Sequence, residues 1–268
     1  MQFGFCPLRS GSSGNTSYVC AGATRLLIDA GLSGRAMEKM LWELGQDPQG
    51  LTGILVTHEH SDHIKGLGIF SRRYNLPVYA NEETWQAMAD KPGMDGIATR
   101  NQRIFITGQD FYVQDVGVTP FAIPHDAAAP VGYALAYGGR KLAIATDLGH
   151  IAESWVSQVS GADLLLIESN HDPEMLADSR YPALLKRRIL SRRGHLSNAD
   201  CGRALVTLTQ QGMHHVILGH LSAETNTPPL ARETVEIELA AAGLRMGEDV
   251  RVDMAWRDKL GDFYTIIA

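Results

Sequence analysis

A chain of 268 residues with 44% hydrophobic content can bury a large core, and a formal net charge of −6 gives it no general attraction for polyanions. Any nucleic-acid contact must come from a local basic patch. No apolar run approaches a membrane span, and Met1-Gln2-Phe3-Gly4-Phe5-Cys6-Pro7 lacks the basic start and long apolar stretch of a signal peptide, so a soluble, cytoplasmic protein without membrane contact is expected. Cys6, Cys20 and Cys201 are scattered and form no C-x-x-C pair, which is the usage of a reducing compartment.

The chain opens with short strand-like runs at 2–7, 17–20 and 25–29. Between the first two lies Ser10-Gly11-Ser12-Ser13-Gly14-Asn15. On composition this is first a turn; its Ser12, Ser13 and Asn15 can also cradle an anion. Ser33 caps a helix with Met37, Met40, Leu41 and Leu44 on its apolar face and Gly45 at its end.

A strand at 53–57 then delivers His58-Glu59-His60-Ser61-Asp62-His63, an H-x-H-x-D-H pattern. In extended backbone His58 and His60 project to the same side and can grip one ion, while Asp62 and His63 lie past the bend and face a second position. Imidazole with carboxylate suits zinc, manganese or iron, and the lack of thiolate argues against a closed structural zinc knot. A polar loop has no need of so many donors; this one reads as a metal site.

A helix at 64–74, a strand at 77–80 and a helix at 84–89 continue a β-α-β-α alternation, which places helices outside a sheet. From 101 to 147 only strands are expected, at 103–106, 111–113, 116–123, 133–137 and 141–145, with Gly138-Gly139 as a hairpin turn. His125 and Asp147 stand at strand ends, and beside an incomplete metal site His125 becomes a candidate ligand. Next come an apolar strand at 163–168 ending in Glu168-Ser169-Asn170-His171, and a helix at 173–190 broken near Pro182. Ser197 and Asp200 form a capping box for a helix that stops at Gly212, and a strand at 215–218 ends in Gly219-His220. A helix starting at Thr227-Pro228 and strands at 250–255 and 263–267 complete what reads, without linker or repeat, as one domain over residues 1–268.

With His58, His60, Asp62, His63, His125, Asp147 and His220 all at strand ends, the chain resembles metallo-β-lactamase-fold hydrolases over essentially its whole length. Within that superfamily it is most similar to the YycJ/WalJ-type proteins, described as 5′-to-3′ exonucleases on double-stranded DNA. The closer likeness is carried by Ser10 to Asn15, Leu27-Ile28-Asp29-Ala30-Gly31, Thr57 to Gly66, Pro124-His125-Asp126 with Gly132-Tyr133, Glu168 to Asp172, Gly194 to Asn198, and Leu218 to Ser222.

The resemblance implies an α/β fold, an αββα sandwich of two mixed sheets flanked by helices, with two divalent ions: zinc or manganese, or iron. His58, His60 and His125 would hold one, Asp62, His63 and His220 the other, and Asp147 would bridge. Against Asp62, Asp147 and one hydroxide the ions leave about one positive charge, suited to a phosphodiester. It further implies catalytic parts for Asp62 and for His195 as proton donor, with Glu168 orienting His195 and His171 in a lesser similar position, and a place in DNA repair. His150, His214 and His215 read as surface or packing residues.

Residues 179–199 hold Arg180, Lys186, Arg187, Arg188, Arg192 and Arg193 with no acidic residue, in a chain that is net acidic. A solvated basic helix is the ordinary reading of such a run. This one leads straight into His195, so Arg188, Arg192 and Arg193 are candidate contacts to a DNA partner. A small-substrate hydrolase of the same fold, a cyclic phosphodiesterase or hydroxyacyl thioester hydrolase, shares the metal site and is the alternative. A β-lactamase is disfavoured because those enzymes are exported and many carry Cys where Asp147 stands. A flavodiiron-type reductase is disfavoured by His60 and the missing flavin domain. The full ligand set argues against a non-catalytic binding module.

Overall fold

Apolar side chains in the middle of this chain alternate between two buried faces. Leu142, Ile144, Leu164 and Leu166 enter one cluster, while Ala143, Ala145, Leu165 and Ile167 enter another. Strands apolar on both faces belong in the interior of a layered fold, and that is where the computed structural model, which describes residues 3–94 and 96–266, places them. Strands β1 (Phe3–Arg9), β2 (Thr16–Ala21), β3 (Thr24–Ile28), β4 (Gly53–Leu55), β5 (Val78–Asn81) and β6 (Gln102–Phe105) lie in one sheet. The second sheet holds β7 (Phe111–Val113), β8 (Val116–Ala122), β9 (Val131–Tyr137), β10 (Arg140–Ala145), β11 (Leu164–Glu168), β12 (His215–Gly219) and β13 (Arg251–Met254). The last strand, β14 (Tyr264–Ile266), returns to the first sheet beside β1. The strand orders are β14-β1-β2-β3-β4-β5-β6 and β13-β12-β11-β10-β9-β8-β7.

The sheets face each other across Phe5, Leu26, Leu55, Val118, Tyr133 and Ile144. Outside the first sheet, α1 (Gly34–Glu43) and α3 (Leu67–Tyr74) bury Met37, Leu41 and Phe70. Outside the second, α5 (Glu153–Val159), α8 (Asn198–Gln210) and α9 (Pro228–Ala241) bury Trp155, Leu205 and Val235. The result is the expected αββα sandwich of two mixed sheets. The helices α2 (Ser61–Ile64), α4 (Glu82–Met88), α6 (Pro173–Asp178) and α7 (Ala183–Ile189) are short.

Several local expectations are corrected. The helix expected at 64–74 is split into α2 and α3, because the Gly66 amide donates to Ala30 O at 2.8 Å, outside the helical ladder. Strand β6 pairs with β5, so the strand-only run from 101 crosses from one sheet to the other between β6 and β7. A two-residue period reveals a strand but not its sheet. Helix α5 was not expected; its sequence ESWVSQV buries Trp155, Val156 and Val159, too short a pattern to read as a helix. Gln2 of the first expected strand and Ile267 of the last lie outside the described residues. Cys6, Cys20 and Cys201 are buried free thiols, and no helix among the described residues is long and apolar enough to cross a membrane.

Strand direction positions the chemistry. In the first sheet β3, β4, β5 and β6 are parallel, and β1 runs with β3 through two antiparallel steps. In the second, β10 to β13 are parallel, and β8 runs with β10 through β9. Loops after β1, β3, β4, β8, β10, β11 and β12 therefore gather at one edge of the sandwich. Carboxyl ends of parallel strands are where α/β folds place ligands.

Candidate active site

Each side chain at this edge is aimed by the strand that delivers it. Beyond β3, β10 and β12, the residues Asp29, Asp147 and His220 adopt left-handed backbone, with φ of 61°, 60° and 56°. Such conformations are uncommon outside glycine and cost energy unless the surroundings enforce them. Here they turn three polar side chains into one cluster. Gly31 has a similar origin: a Cβ on it would lie 1.7 Å from Asp62 O, so only glycine lets the turn after β3 touch the metal loop.

His58, His60 and His125 converge. His60 Nδ1 lies 3.1 Å from His58 Nε2 and 3.3 Å from His125 Nε2. Asp62, His63 and His220 form a second group, with Asp62 Oδ2 3.5 Å from His63 Nε2 and 3.8 Å from His220 Nε2. Asp147 stands between them. Its Oδ1 is 3.6 Å from His125 Nε2 and 3.5 Å from His220 Nε2, and its Oδ2 is 3.5 Å from His63 Nε2.

Four of the five imidazoles have their outer nitrogen engaged, which leaves Nε2 facing inward. His58 Nδ1 meets Thr57 Oγ1 at 3.0 Å, His63 Nδ1 meets Asp29 Oδ2 at 2.7 Å, His125 Nδ1 meets Gly194 O at 3.1 Å and His220 Nδ1 meets Glu168 Oε2 at 2.7 Å. Such outer partners fix the tautomer and raise the ligand's basicity. His60 is turned the other way and presents Nδ1.

The residues fit metal ions on two grounds. Asp147 Oδ2 and His220 Nε2 are buried without a hydrogen-bond partner, a costly state for such groups unless a cation meets them. The acidic groups also demand positive charge. Burial opposes a charge on His220, yet Asp147, Asp62 and Glu168 outweigh it and push its pKa up to about 10. Burial likewise opposes a charge on His63, but Asp147, Asp29 and Asp62 hold it well above the usual histidine range. His58, His60 and His125 go the other way: burial depresses them most, so they are neutral donors. Either protons on His63 and His220 or metal ions can answer the carboxylates.

Glu168, fully buried, is the hub behind this wall. It accepts from the Asp147 and Leu148 amides at 3.1 Å each, from the Leu196 amide at 2.8 Å, and from His195 Nδ1 at 2.8 Å besides His220. Burial alone would raise its pKa; the charges and hydrogen bonds of His195 and His220 bring it down to about 2. His195 is the partly exposed member, its ring 5.1 Å from that of His125 and 5.4 Å from that of His220. His171 is buried with both ring nitrogens unpartnered, and its carbonyl accepts from Asn198 N at 2.9 Å.

The other sequence candidates separate. Asn15 lies inside the ligand cluster, its Nδ2 3.3 Å from Asp62 Oδ2 and 3.0 Å from His63 Nε2, while Ser12 and Ser13 form the exposed loop tip. Arg188 pairs with Asp126 through Nε–Oδ2 at 2.5 Å and Nη2–Oδ1 at 3.0 Å, and Asp126 Oδ1 is 3.4 Å from His125 Nε2. Arg193 donates to the carbonyls of His125 and Ala127 at 2.9 and 3.3 Å. The Arg192 side chain is exposed; its carbonyl accepts from His150 Nδ1 at 2.9 Å. Sequence reasoning gave no part to Asp29, Thr57 or Asp126. Asp29 had a signal, an acid directly before Ala30-Gly31 at a strand end.

Residues 24–221 match the family described as the Beta-lactamase superfamily domain. The chain is similar to the exodeoxyribonuclease YycJ of Bacillus anthracis, with 44% identity over 248 residues that cover 92% of this chain and 93% of that protein. It is similar also to the exodeoxyribonuclease WalJ of Streptococcus pneumoniae serotype 2, with 40% identity over 250 residues and 93% of each chain. Among solved structures, the metallo-beta-lactamase fold protein YhfI from Bacillus subtilis superposes with a TM-score of 0.71 at 15% identity, over 98% of this chain and 99% of that one; this likeness concerns the fold.

Proposed function

Because the chain belongs to the beta-lactamase superfamily, and within it to the group of the YycJ and WalJ exodeoxyribonucleases, we propose that it is a two-metal phosphodiesterase that degrades double-stranded DNA from the 5′ end in DNA repair. It is a metal-dependent hydrolase; the number of ions, the duplex substrate and the direction are our reading. One observation carries the two-ion part: Asp147 lies within 3.6 Å of His125 on one side and 3.5 Å of His63 and His220 on the other. A carboxylate so placed would serve an ion on either side.

We assign one position to His58, His60 and His125 and the other to Asp62, His63 and His220. Divalent ions held there would supply a water acidified to a pKa of about 7 and a positive field for phosphoryl oxygens. The chain's own residues do the rest. Asp62, held by the Asn15 amide, keeps the second position anionic. His195 gives its Nδ1 to Glu168, so its other nitrogen is left to donate a proton to the departing oxygen. His171 supports it, since its carbonyl anchors the start of α8 just beyond His195.

The test is hydrolysis of duplex DNA labelled at the 5′ or the 3′ end, with metal content measured on the same preparation. The reading expects about two ions per chain and shortening from the 5′ end. A preparation that is fully loaded, cleaves small phosphodiesters and leaves DNA intact would shift the assignment to the small-substrate hydrolase.

A further inference from the structure

Beside the site, at the carboxyl end of β13, the chain forms a half-open hollow of about 380 Å³ that the chemistry above does not use. It is lined by Leu221, Ser222, Asn226, Trp256, Arg257 and Lys259 among others. The volume falls within the roughly 300–1,000 Å³ of small-ligand sites. Its wall toward the metal ligands is thin. Ser10 N donates to Trp256 O at 3.0 Å, and Ser10 Oγ accepts from the amide of His220 at 2.8 Å. Gly11 bridges Leu221, the residue after that ligand. The hollow and His220 thus sit on adjacent strands, β13 and β12, about 4.8 Å apart.

The lining combines two recognition chemistries. Trp256 supplies an aromatic side chain whose one ring face carries Lys259 Nζ, 3.7 Å from the centroid. A base therefore stacks on it by displacing that ammonium or on the opposite face, and Leu221 and Ala255 add apolar surface. Arg257, Asp258 and Lys259 together leave one net positive charge at the rim. A ring to stack on and cations for a phosphate are the means by which single-stranded nucleic acid is held without sequence preference.

The position adds direction. The second sheet runs β13-β12-β11-β10-β9-β8, so the hollow lies beyond His220 at one side, while Arg188 and Asp126 lie beside His125 at the end of β8. The ligands stand between the basic helix α7 and this half-open hollow.

We infer that the hollow at Trp256, Arg257 and Lys259 is a subsite for one unpaired terminal deoxynucleotide, the base against Trp256 and the phosphate at Arg257 and Lys259. The inference rests on the proposed nuclease reading, but its test does not. Deoxyadenosine 5′-monophosphate, deoxyadenosine and inorganic phosphate are titrated calorimetrically into the metal-loaded full chain, its Arg257→Ala/Lys259→Ala variant and its Trp256→Ala variant. All three substituted side chains are at least partly exposed, and circular dichroism checks that each variant is folded before titration. The subsite expects the nucleotide to bind the wild type best, at least tenfold weaker binding in the double variant, and in Trp256→Ala a loss for the nucleotide but not for inorganic phosphate. Equal nucleotide affinity in all three proteins overturns it, even if the wild type cleaves DNA. If the variants lose nucleotide while the wild type leaves DNA intact, the subsite stands and the nuclease reading falls.

Discussion

Glu168 Oε2 lies 2.8 Å from His195 Nδ1, and the same oxygen takes His220 Nδ1 at 2.7 Å. One buried carboxylate therefore sets the orientation of a metal-ligand candidate and of the proposed proton donor. A conservative change at Glu168 should affect both.

Glu168→Gln keeps the shape but replaces an acceptor oxygen with an NH₂ group among five donors. Partners of this kind are worth about 10–100-fold in metal affinity. The variant is expected to lose that much at the His220 position, seen by competition with a chelator, and to stay slow when metal is restored in excess. Unchanged affinity and rate would remove Glu168 from the positioning role.

His195→Ala separates the two effects. His195 is outside both ligand groups, so metal content should match the wild type while the rate falls roughly 10²–10⁴-fold, the usual worth of a general acid. Loss of an ion instead would make His195 a ligand. Asp147→Ala is the opposite case and should lose both occupancy and activity.

The pKa shifts predict that the two positions differ in pH dependence. In metal-free protein His63 and His220 are protonated at neutral pH, the latter up to about pH 10, and both must lose a proton before ligating. His58, His60 and His125 are depressed by burial and so have fewer protons to lose. Raising the pH from 6 to 8 should therefore tighten the ion at Asp62, His63 and His220 more steeply than the other ion. Calorimetry in buffers of different ionisation enthalpy counts the released protons. Equal slopes at the two positions contradict this assignment.

How much of this was legible in the sequence depended on distance along the chain. H-x-H-x-D-H is contiguous, so His58 to His63 announced themselves. His125 could be picked out from its strand end, whereas Asp147 and His220 entered the proposed ligand set through the family resemblance; strand direction is what brings the three ends to one edge. Asp29, with its contact to His63, was not assigned a part: the two are far apart in sequence and only the parallel pairing of β3 with β4 joins them. The hollow at Trp256 was still less visible, since its wall forms only when Ser10 meets Trp256 and His220 across most of the chain. The sheet change between β6 and β7 escaped for a different reason. Both strands are short and partly exposed, and stacked rings such as Phe105 and Phe111 at 5.3 Å, rather than pairing, join the two sheets there.

The basic segment yields the last prediction, and the structure changes which residues should be substituted. Arg188 is already bidentate on Asp126, and Arg193 clamps the carbonyls of His125 and Ala127. Removing either would leave a carboxylate or a loop unsupported next to His125, so weaker DNA binding could come from a damaged site. Lys186 donates to Ala177 O at 2.5 Å. Arg187 and Arg192 are exposed, and among the described residues their side chains make no hydrogen bond or ion pair, so they are the clean probes. If both meet phosphates, Arg187→Ala/Arg192→Ala should weaken duplex binding at low salt. It should also flatten the slope of log affinity against log salt by about 0.9 for each phosphate no longer neutralised, about 1.8 for the pair. Rates on bis-p-nitrophenyl phosphate, too small to reach α7, should fall far less than rates on DNA. A wild-type protein that binds no duplex at low salt, or a double variant with the wild-type slope, makes the segment an ordinary solvated face. The small-substrate hydrolase would then be the better reading of the same metal site.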